Sequence, residues 1–171
     1  MKIVKRILIA ILIFIALLLI VALFASKEMK AKAEIVINKP KSEVFNYIKF
    51  VKNQDNFGKW QLMDPDMKTT SIGEDGTVGF IYKWDSEVLD KGSQKITKII
   101  EGDRVETELD FGFGDPAKSY FTTEEVNENQ TKVVWGIDGK SMYPFNLLNL
   151  FFNMDKDFEE GLKNLKNELE K

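Results

Sequence analysis

The chain has 171 residues, of which 44% are hydrophobic and 30% are charged, so it is long enough for one domain and too apolar for general disorder. It contains no cysteine and no histidine, which excludes disulfides, cysteine nucleophiles, serine–histidine triads and most zinc sites, and we expect neither a metal ion nor a cofactor. Residues 26–171 carry 21 positive and 27 negative charges, and this net charge of −6 argues against a nucleic-acid partner.

The N-terminal region contains nineteen consecutive apolar residues, 7–25, with no charge, glycine or proline. At 1.5 Å per residue such a helix is about 28 Å long, enough to cross the hydrocarbon core of a bilayer. Lys2, Lys5 and Arg6 precede it, so the positive-inside rule predicts a single-pass protein with a cytoplasmic N-terminus and an extracytoplasmic domain, on the periplasmic or extracellular side. A cleaved signal peptide and a buried core helix are the rival interpretations. We assign residues 1–25 to a cytoplasmic stub and membrane anchor.

The segment after the anchor is polar at first and then alternates. Residues 26–33 are predicted to form a short polar tether, whose extended length of about 26 Å keeps the domain close to the membrane. Residues 34–38 read as a strand. Pro40 is suited to the first turn of a helix that runs to about residue 50, and a second short helix is predicted over residues 53–60.

From residue 66 the hydrophobic period changes from helical to alternating, which predicts antiparallel strands joined by turns. The strand over residues 77–86 places Val78, Phe80, Tyr82 and Trp84 on one face, forming a wall of a core or of a cavity. In residues 104–111 the apolar positions face inward and the charged positions face water. The predicted strands cover residues 67–72, 77–86, 92–100, 104–111, 118–126 and 131–139.

The C-terminal segment, residues 144–171, is predicted to be one amphipathic helix of six or seven turns. Gly161 lies on its apolar stripe, where a glycine indicates close approach of another backbone. The stripe consists of Leu147, Leu150, Phe151, Met154, Phe158, Leu162, Leu165 and Leu169.

The order of these elements places the chain in the α+β class: an anchor, a strand, two helices, five or six hairpin-connected strands and a long helix. A strongly bent antiparallel sheet either closes on its own side chains as a barrel or wraps an amphipathic helix and leaves a pocket between them.

Four segments of the chain, in the same order and spacing, resemble the SRPBCC superfamily of START-like, polyketide cyclase/dehydrase and lipid-transport proteins. They are EIVINKPKSEVFNYI (34–48), TVGFIYKWDS with the later KGSQKIT (77–97), TKVVWGIDG (131–139) and DFEEGLKNLKNELE (157–170). The resemblance implies a helix-grip fold over residues 34–171, with about seven strands wrapped around the long C-terminal helix and an apolar cavity between them. Members bind lipids, sterols, polyketides or quinones, and some are enzymes. The family has no universal catalytic motif, so the resemblance assigns no catalytic residue.

Ten side chains are candidates for lining that cavity, because small-molecule sites are mostly apolar with a few polar groups. The alternative is that they simply fill the core. Two tyrosines of the set offer hydroxyls to a polar end of a ligand, although a buried tyrosine also needs a partner merely to satisfy its own hydroxyl. The candidates are Trp60, Phe80, Tyr82, Trp84, Phe111, Tyr120, Trp135, Phe151, Met154 and Phe158.

Carboxylates near the aromatic wall are the remaining candidates for acid–base chemistry, and they are Asp85, Glu87, Asp110 and Asp115. Strand parity points Asp85 and Asp110 away from the wall, which favours simple solvation.

Leu148 and Phe152 lie outside the main stripe of the C-terminal helix. They pack under the two short helices or, in the functional interpretation, rim a cavity mouth and meet the membrane. Residues 147–154 are the part of the helix where we expect the ligand.

Three functions remain open at this stage. The first is a membrane-anchored module that binds a hydrophobic or lipid-like small molecule without chemistry. The second is a cyclase- or dehydratase-like enzyme acting on a polyketide or aromatic substrate, and the third is a filled-core interaction or stress-response module. A buried Asp, Glu or Lys beside a Tyr favours the enzyme, whereas a pocket free of titratable groups favours binding.

Overall fold

The computed structural model describes residues 2–151 and 153–171 of the chain. Its first element is a single apolar helix, α1 (Lys2–Phe24), which is long and apolar enough to cross a membrane. All of its residues are described, and among them only Ala22 is buried. The helix therefore presents its apolar side chains outward instead of burying them in the domain core.

The described residues form seven strands in one antiparallel sheet, with the order β1-β7-β6-β5-β4-β3-β2. Register shifts between Ile96 and Lys98 and between Glu125 and Asn127 locally strengthen the bend of the sheet. The strands are β1 (Glu28–Ile37), β2 (Lys68–Ile72), β3 (Ile81–Ser86), β4 (Asp90–Ile100), β5 (Arg104–Asp110), β6 (Ala117–Asn127) and β7 (Gln130–Lys140).

Helices cover one face of this sheet. Between β1 and β2 the chain forms α2 (Lys41–Ile48), a 3-10 turn (Val51–Asn56) and α3 (Lys59–Met63). The last helix, α4 (Met154–Leu169), packs mainly along β1 and also touches α3 and β7. The α+β class and the helix-grip arrangement predicted from the sequence are confirmed.

The apolar stripe of α4 is buried as its spacing predicts: Phe158, Leu162 and Leu165 are almost inaccessible to solvent. Gly161 lies on this stripe, but its neighbour is not a backbone. A Cβ at this position would come within 2.6 Å of Cζ3 of Trp135, so the glycine makes room for the indole ring. The prediction of a close backbone approach is therefore corrected to a close side-chain approach.

The strand β1 begins six residues earlier than predicted, because residues 28–33, assigned to a polar tether, form its first half and pair with β7. Ala31 and Ala33 are buried while Lys30 and Lys32 face solvent. This alternation of small and charged side chains is a strand pattern with a period of two, but its apolar members are too small to stand out in the sequence.

The strand β3 is shorter than predicted, because residues 77–79 form a bend and a turn. Gly79 has φ of +96°, a left-handed conformation that glycine adopts without strain. Val78 is consequently exposed and does not belong to the aromatic wall.

The predicted helix over residues 144–171 is wrong in its first half. A 3-10 turn (Phe145–Leu150) precedes α4, and the two do not form one continuous helix. The apolar side chains of this turn keep a helical spacing in sequence, but they point toward α1 and solvent instead of continuing the stripe of α4.

Candidate functional site

A cavity of about 230 Å³ lies between the sheet and the helices that cover it. Strands β3 to β7 form one wall, and α3 with the first turns of α4 forms the other. The lining residues are Gln54, Trp60, Gln61, Met67, Tyr82, Trp84, Leu89, Gln94, Leu109, Phe111, Ser119, Trp135, Ile137, Met154 and Phe158.

The structure brings seven of the ten predicted residues together around this cavity. All three tryptophans of the chain belong to this group, so every indole of the protein touches the same space. The seven residues are Trp60, Tyr82, Trp84, Phe111, Trp135, Met154 and Phe158.

Trp135 on β7 is the centre of an aromatic cluster on the sheet wall of the cavity. Its ring meets Phe158 of α4 edge to face at 4.9 Å and Trp60 of α3 at 6.0 Å. On its other side it stacks on Phe121 at 4.7 Å. Such edge-to-face and stacked pairs hold aromatic rings in fixed orientations, so this wall is preorganised.

Trp84 and Phe111 lie at the β3–β5 side of the cavity and form an edge-to-face pair with ring centroids 6.3 Å apart. The Trp84 indole lies across Gly92 of the neighbouring strand, where a Cβ would come within 2.2 Å of its Cζ2. The indole can therefore occupy this position only because residue 92 has no side chain. Phe111 in turn contacts Phe113, which is exposed.

Polar side chains on the sheet face of the cavity bond to other protein groups. The Gln94 side-chain nitrogen donates to Thr107 Oγ1 at 3.0 Å, and Ser119 Oγ donates to the Gly136 carbonyl at 3.0 Å. We did not predict Gln94 or Ser119 from the sequence. The signal was their parity, because they lie two residues before the buried Ile96 and Phe121.

Tyr82 is the titratable residue among the described lining residues. Its hydroxyl donates to the Asp55 carboxylate, with 2.7 Å to each oxygen. Burial raises the pKa of Asp55, and the hydrogen bond from Tyr82 opposes this rise. Burial and the bond to Asp55 raise the pKa of the Tyr82 hydroxyl, which keeps it protonated at neutral pH.

The four carboxylates considered for acid–base chemistry are all exposed, so none approaches the cavity. Asp85 pairs on the surface with Lys91 at 2.7 Å. Asp55 was not predicted from the sequence, but it is the carboxylate that is partly buried and bonded to a cavity residue, Tyr82. It lies in the 3-10 turn Val51–Asn56, a segment whose sequence shows no strand parity to follow.

Three predicted residues lie outside the cavity. Phe80 faces inward but packs in a separate core cluster with Phe45 and Val105, under α2. Tyr120 is on the outer face of β6, with the Arg104 guanidinium 4.4 Å from its ring centroid, because its parity is opposite to that of the buried Phe121. Phe151 is 81% exposed, since the helix predicted to carry it is broken there.

A second pocket, of about 390 Å³, lies beside the start of β1 and is lined by residues 28–31, 149–151 and 153–155. Met154 lines both this pocket and the first cavity. Of the described residues in 147–151 and 153–154, Met154 is therefore the one that lines the predicted ligand cavity. Leu148 is about half exposed, on the 3-10 turn near α1, and Phe152 lies outside the described residues.

Within residues 2–151 and 153–171, no group of three or more carboxylate, histidine or cysteine side chains is placed to hold a metal ion.

No family model matches the sequence, and no curated protein matches it. Solved structures do match. Norcoclaurine synthase from Thalictrum flavum, in complex with dopamine and hydroxybenzaldehyde, has a TM-score of 0.62 at 8% identity, covering 86% of this chain and 90% of that one. The Aha1 dimer from Colwellia psychrerythraea gives 0.59 at 16% identity, covering 83% and 96%. Ara h 8.0201 gives 0.55 at 13% identity, covering 83% and 97%.

These neighbours have the fold of the SRPBCC superfamily, also called Bet v 1-like, and at such low identities the likeness concerns the fold. The resemblance predicted from the sequence is confirmed at that level. Proteins of this fold family bind hydrophobic ligands, and some of them are enzymes.

Proposed function

We propose that this chain, a helix-grip domain that follows an apolar N-terminal helix, is a membrane-anchored module that binds one small hydrophobic molecule. The observation that carries the proposal is the cavity between the sheet and α4, whose walls are made chiefly of aromatic and aliphatic side chains. Of the ten residues predicted as ligand contacts, we propose the seven that line this cavity.

The volume of the cavity indicates the size of its occupant. A dry apolar cavity of roughly 150 Å³ binds benzene, and pockets for drug-sized ligands span about 300–1,000 Å³. At about 230 Å³ this cavity is intermediate. We propose an occupant with one or two rings, or the apolar part of a larger lipid-like molecule. The complex of norcoclaurine synthase with dopamine and hydroxybenzaldehyde, two single-ring compounds, supports this size class.

The chemistry of the lining favours binding over catalysis. Among the described residues, no Asp, Glu, Lys or Arg lines the cavity, and Gln94, Ser119 and Tyr82 are bonded to protein partners. Binding energy would come chiefly from apolar burial, about 25 cal/mol per Å² of surface removed from water.

An acid–base enzyme is the second candidate, and the Tyr82–Asp55 pair is the observation that favours it. A tyrosine hydroxyl bonded to a desolvated carboxylate is an arrangement that can move a proton. We rank this function second because Asp55 is not among the lining residues and its carboxylate accepts its hydrogen bond from Tyr82 and not from a group in the cavity.

The proposed location follows from the apolar run of residues 7–25 and the charges before it. Lys2, Lys5 and Arg6 favour a cytoplasmic N-terminus, which puts the cavity domain on the extracytoplasmic side.

The test uses energy transfer from the tryptophans to 1-aminoanthracene, a small fluorescent aromatic probe, with the full chain in detergent micelles. All three indoles line the cavity, so a bound probe lies close to each. Leu109→Phe fills the cavity from β5, and Glu108→Phe is a matched control on the outer face of the same strand. We expect saturable transfer in the wild type and in Glu108→Phe, and several-fold weaker transfer in Leu109→Phe. Equal transfer in all three proteins would contradict the proposal.

A further inference from the structure

The C-terminal end of α1 is bonded to the domain by a buried asparagine. Asn146 is fully buried, and its side-chain nitrogen donates to the carbonyls of Ala22 at 2.8 Å and Ala25 at 3.0 Å. The last carbonyls of a helix have no partner within the helix, so such a donor caps it. The anchor helix is thus fixed to the turn Phe145–Leu150.

Further hydrogen bonds join the residues in and around the turn to α1 and to the residues that follow it. The Tyr143 hydroxyl donates to the Leu19 carbonyl at 3.3 Å, the Ser141 amide donates to the Lys27 carbonyl at 2.8 Å, and the Asn149 side chain donates to the Glu28 carbonyl at 3.2 Å. With β1 beginning at Glu28, the chain between helix and sheet has no free tether.

These contacts place residues 142–151, the apolar segment, beside the last turns of α1. Leu19 lies six residues before Ala25, which corresponds to about 9 Å along a helix axis. Tyr143 therefore reaches a carbonyl well inside the run of residues 7–25 that is long enough to span a bilayer.

Most apolar side chains of the apolar segment are exposed, and the segment carries no charge. Phe145 is 56% exposed, and residues 141–152 contain no Asp, Glu, Lys or Arg. An exposed apolar patch of this kind is unfavourable where the surface faces water. Tyrosine beside apolar residues is typical of membrane interfaces. The exposed apolar side chains are Met142, Tyr143, Phe145, Leu148, Leu150 and Phe151.

We propose that the apolar segment is a second membrane-contacting element, which lies in the bilayer interface beside α1 and fixes the height and orientation of the domain on the lipid. The inference rests on the proposed anchor. Lipid is the occupant because the exposed surface is continuous with α1 and reaches about 9 Å along it, which matches the 5–10 Å burial of interfacial apolar faces. Leu150 and Phe151 of the apolar segment also line the second pocket, and Met154 lines both that pocket and the cavity.

The experiment uses the absence of cysteine from the chain, which allows single-cysteine labelling of the full-length protein. Phe145→Cys and Leu148→Cys report on the apolar segment, and Leu12→Cys reports on α1. Val126→Cys is the control, because Val126 is exposed at the hairpin between β6 and β7. The opposite end of β7, about 34 Å along the strand, leads into the apolar segment. Each variant carries a nitrobenzoxadiazole label in phosphatidylcholine–phosphatidylglycerol vesicles with doxyl-labelled lipids as quenchers.

We expect the labels at positions 145 and 148 to be quenched several-fold more than the label at position 126, with blue-shifted emission. Quenching at position 12 together with labels at 145 and 148 that behave like the one at 126 would overturn this inference and leave the anchor intact. An unquenched label at position 12 would overturn the anchor and the inference with it.

Discussion

The two halves of the concave face of the sheet are occupied differently. Over β1 and β7, Leu162, Leu165 and Leu169 of the second half of α4 belong to one buried cluster with Ala33 and Val133. The helix α2 packs beside them against β6 and β7. Over β3 to β5, the cluster of Phe45, Phe80 and Val105 under α2 fills one end. The space beneath α3 and the first turns of α4 is left as the cavity, and aromatic side chains surround it.

This difference separates stability from binding within one core. Close packing in the filled half contributes most of the burial that holds α4 on the sheet, since a well-packed interior has few voids. The hollow half gives up some of that stability and gains a space that a small apolar molecule can enter. Trp135 lies on the boundary and contacts both halves.

Truncating a leucine in each half gives the largest expected contrast. Leu165→Ala removes a fully buried side chain, so we expect the free energy of unfolding to fall by about 2–5 kcal/mol. Leu109→Ala removes a partly exposed side chain beside an existing void, and we expect a loss of about 1 kcal/mol. Urea unfolding of the full chain in detergent micelles, followed by tryptophan fluorescence, measures both. Equal losses would show that the hollow half is packed as tightly as the filled one.

A smaller effect is expected for Tyr82→Phe, which removes the hydrogen bond at the edge of the hollow half. Asp55 keeps its partial burial but loses a donor, so we expect a loss of about 1–2 kcal/mol at neutral pH. The same urea unfolding, repeated across pH, measures it.

The pH dependence of this loss has a definite sign. The bond from Tyr82 stabilises the ionised carboxylate, and its removal raises the pKa of Asp55 further in the folded state only. The difference between wild type and variant is therefore full at neutral pH. It shrinks as the pH falls through the raised folded pKa toward the ordinary value of about 3.9. Tyr120→Phe, the same change on the outer face, is the control and should show no such dependence.

The fold could be predicted from the sequence because its period changes are local. In β5 the alternation placed Val105, Thr107 and Leu109 inward and Glu108 and Asp110 outward, as the structure has them. The same rule identified Tyr82 and Trp84 as one wall of the site. The start of β1 was missed because Ala31 and Ala33 carry little hydrophobic signal between lysines.

The remaining errors concern features that depend on tertiary contacts. The break before α4 is not visible in the apolar spacing, which continues across residues 151–153 at a helical period. Asn146 reads as an ordinary polar residue until the end of α1 is placed beside it. Likewise, Asp55 acquires its role only when the 3-10 turn brings it to Tyr82.

Native mass spectrometry tests the binding proposal most directly, using the full chain purified in detergent from the cell that produces it, with organic extraction of any bound compound. We expect a wild-type species carrying one small apolar molecule, and a Leu109→Phe variant that is largely empty while Glu108→Phe retains the molecule. Wild-type protein that is consistently empty, and that stays empty after incubation with 1-aminoanthracene, would contradict the account.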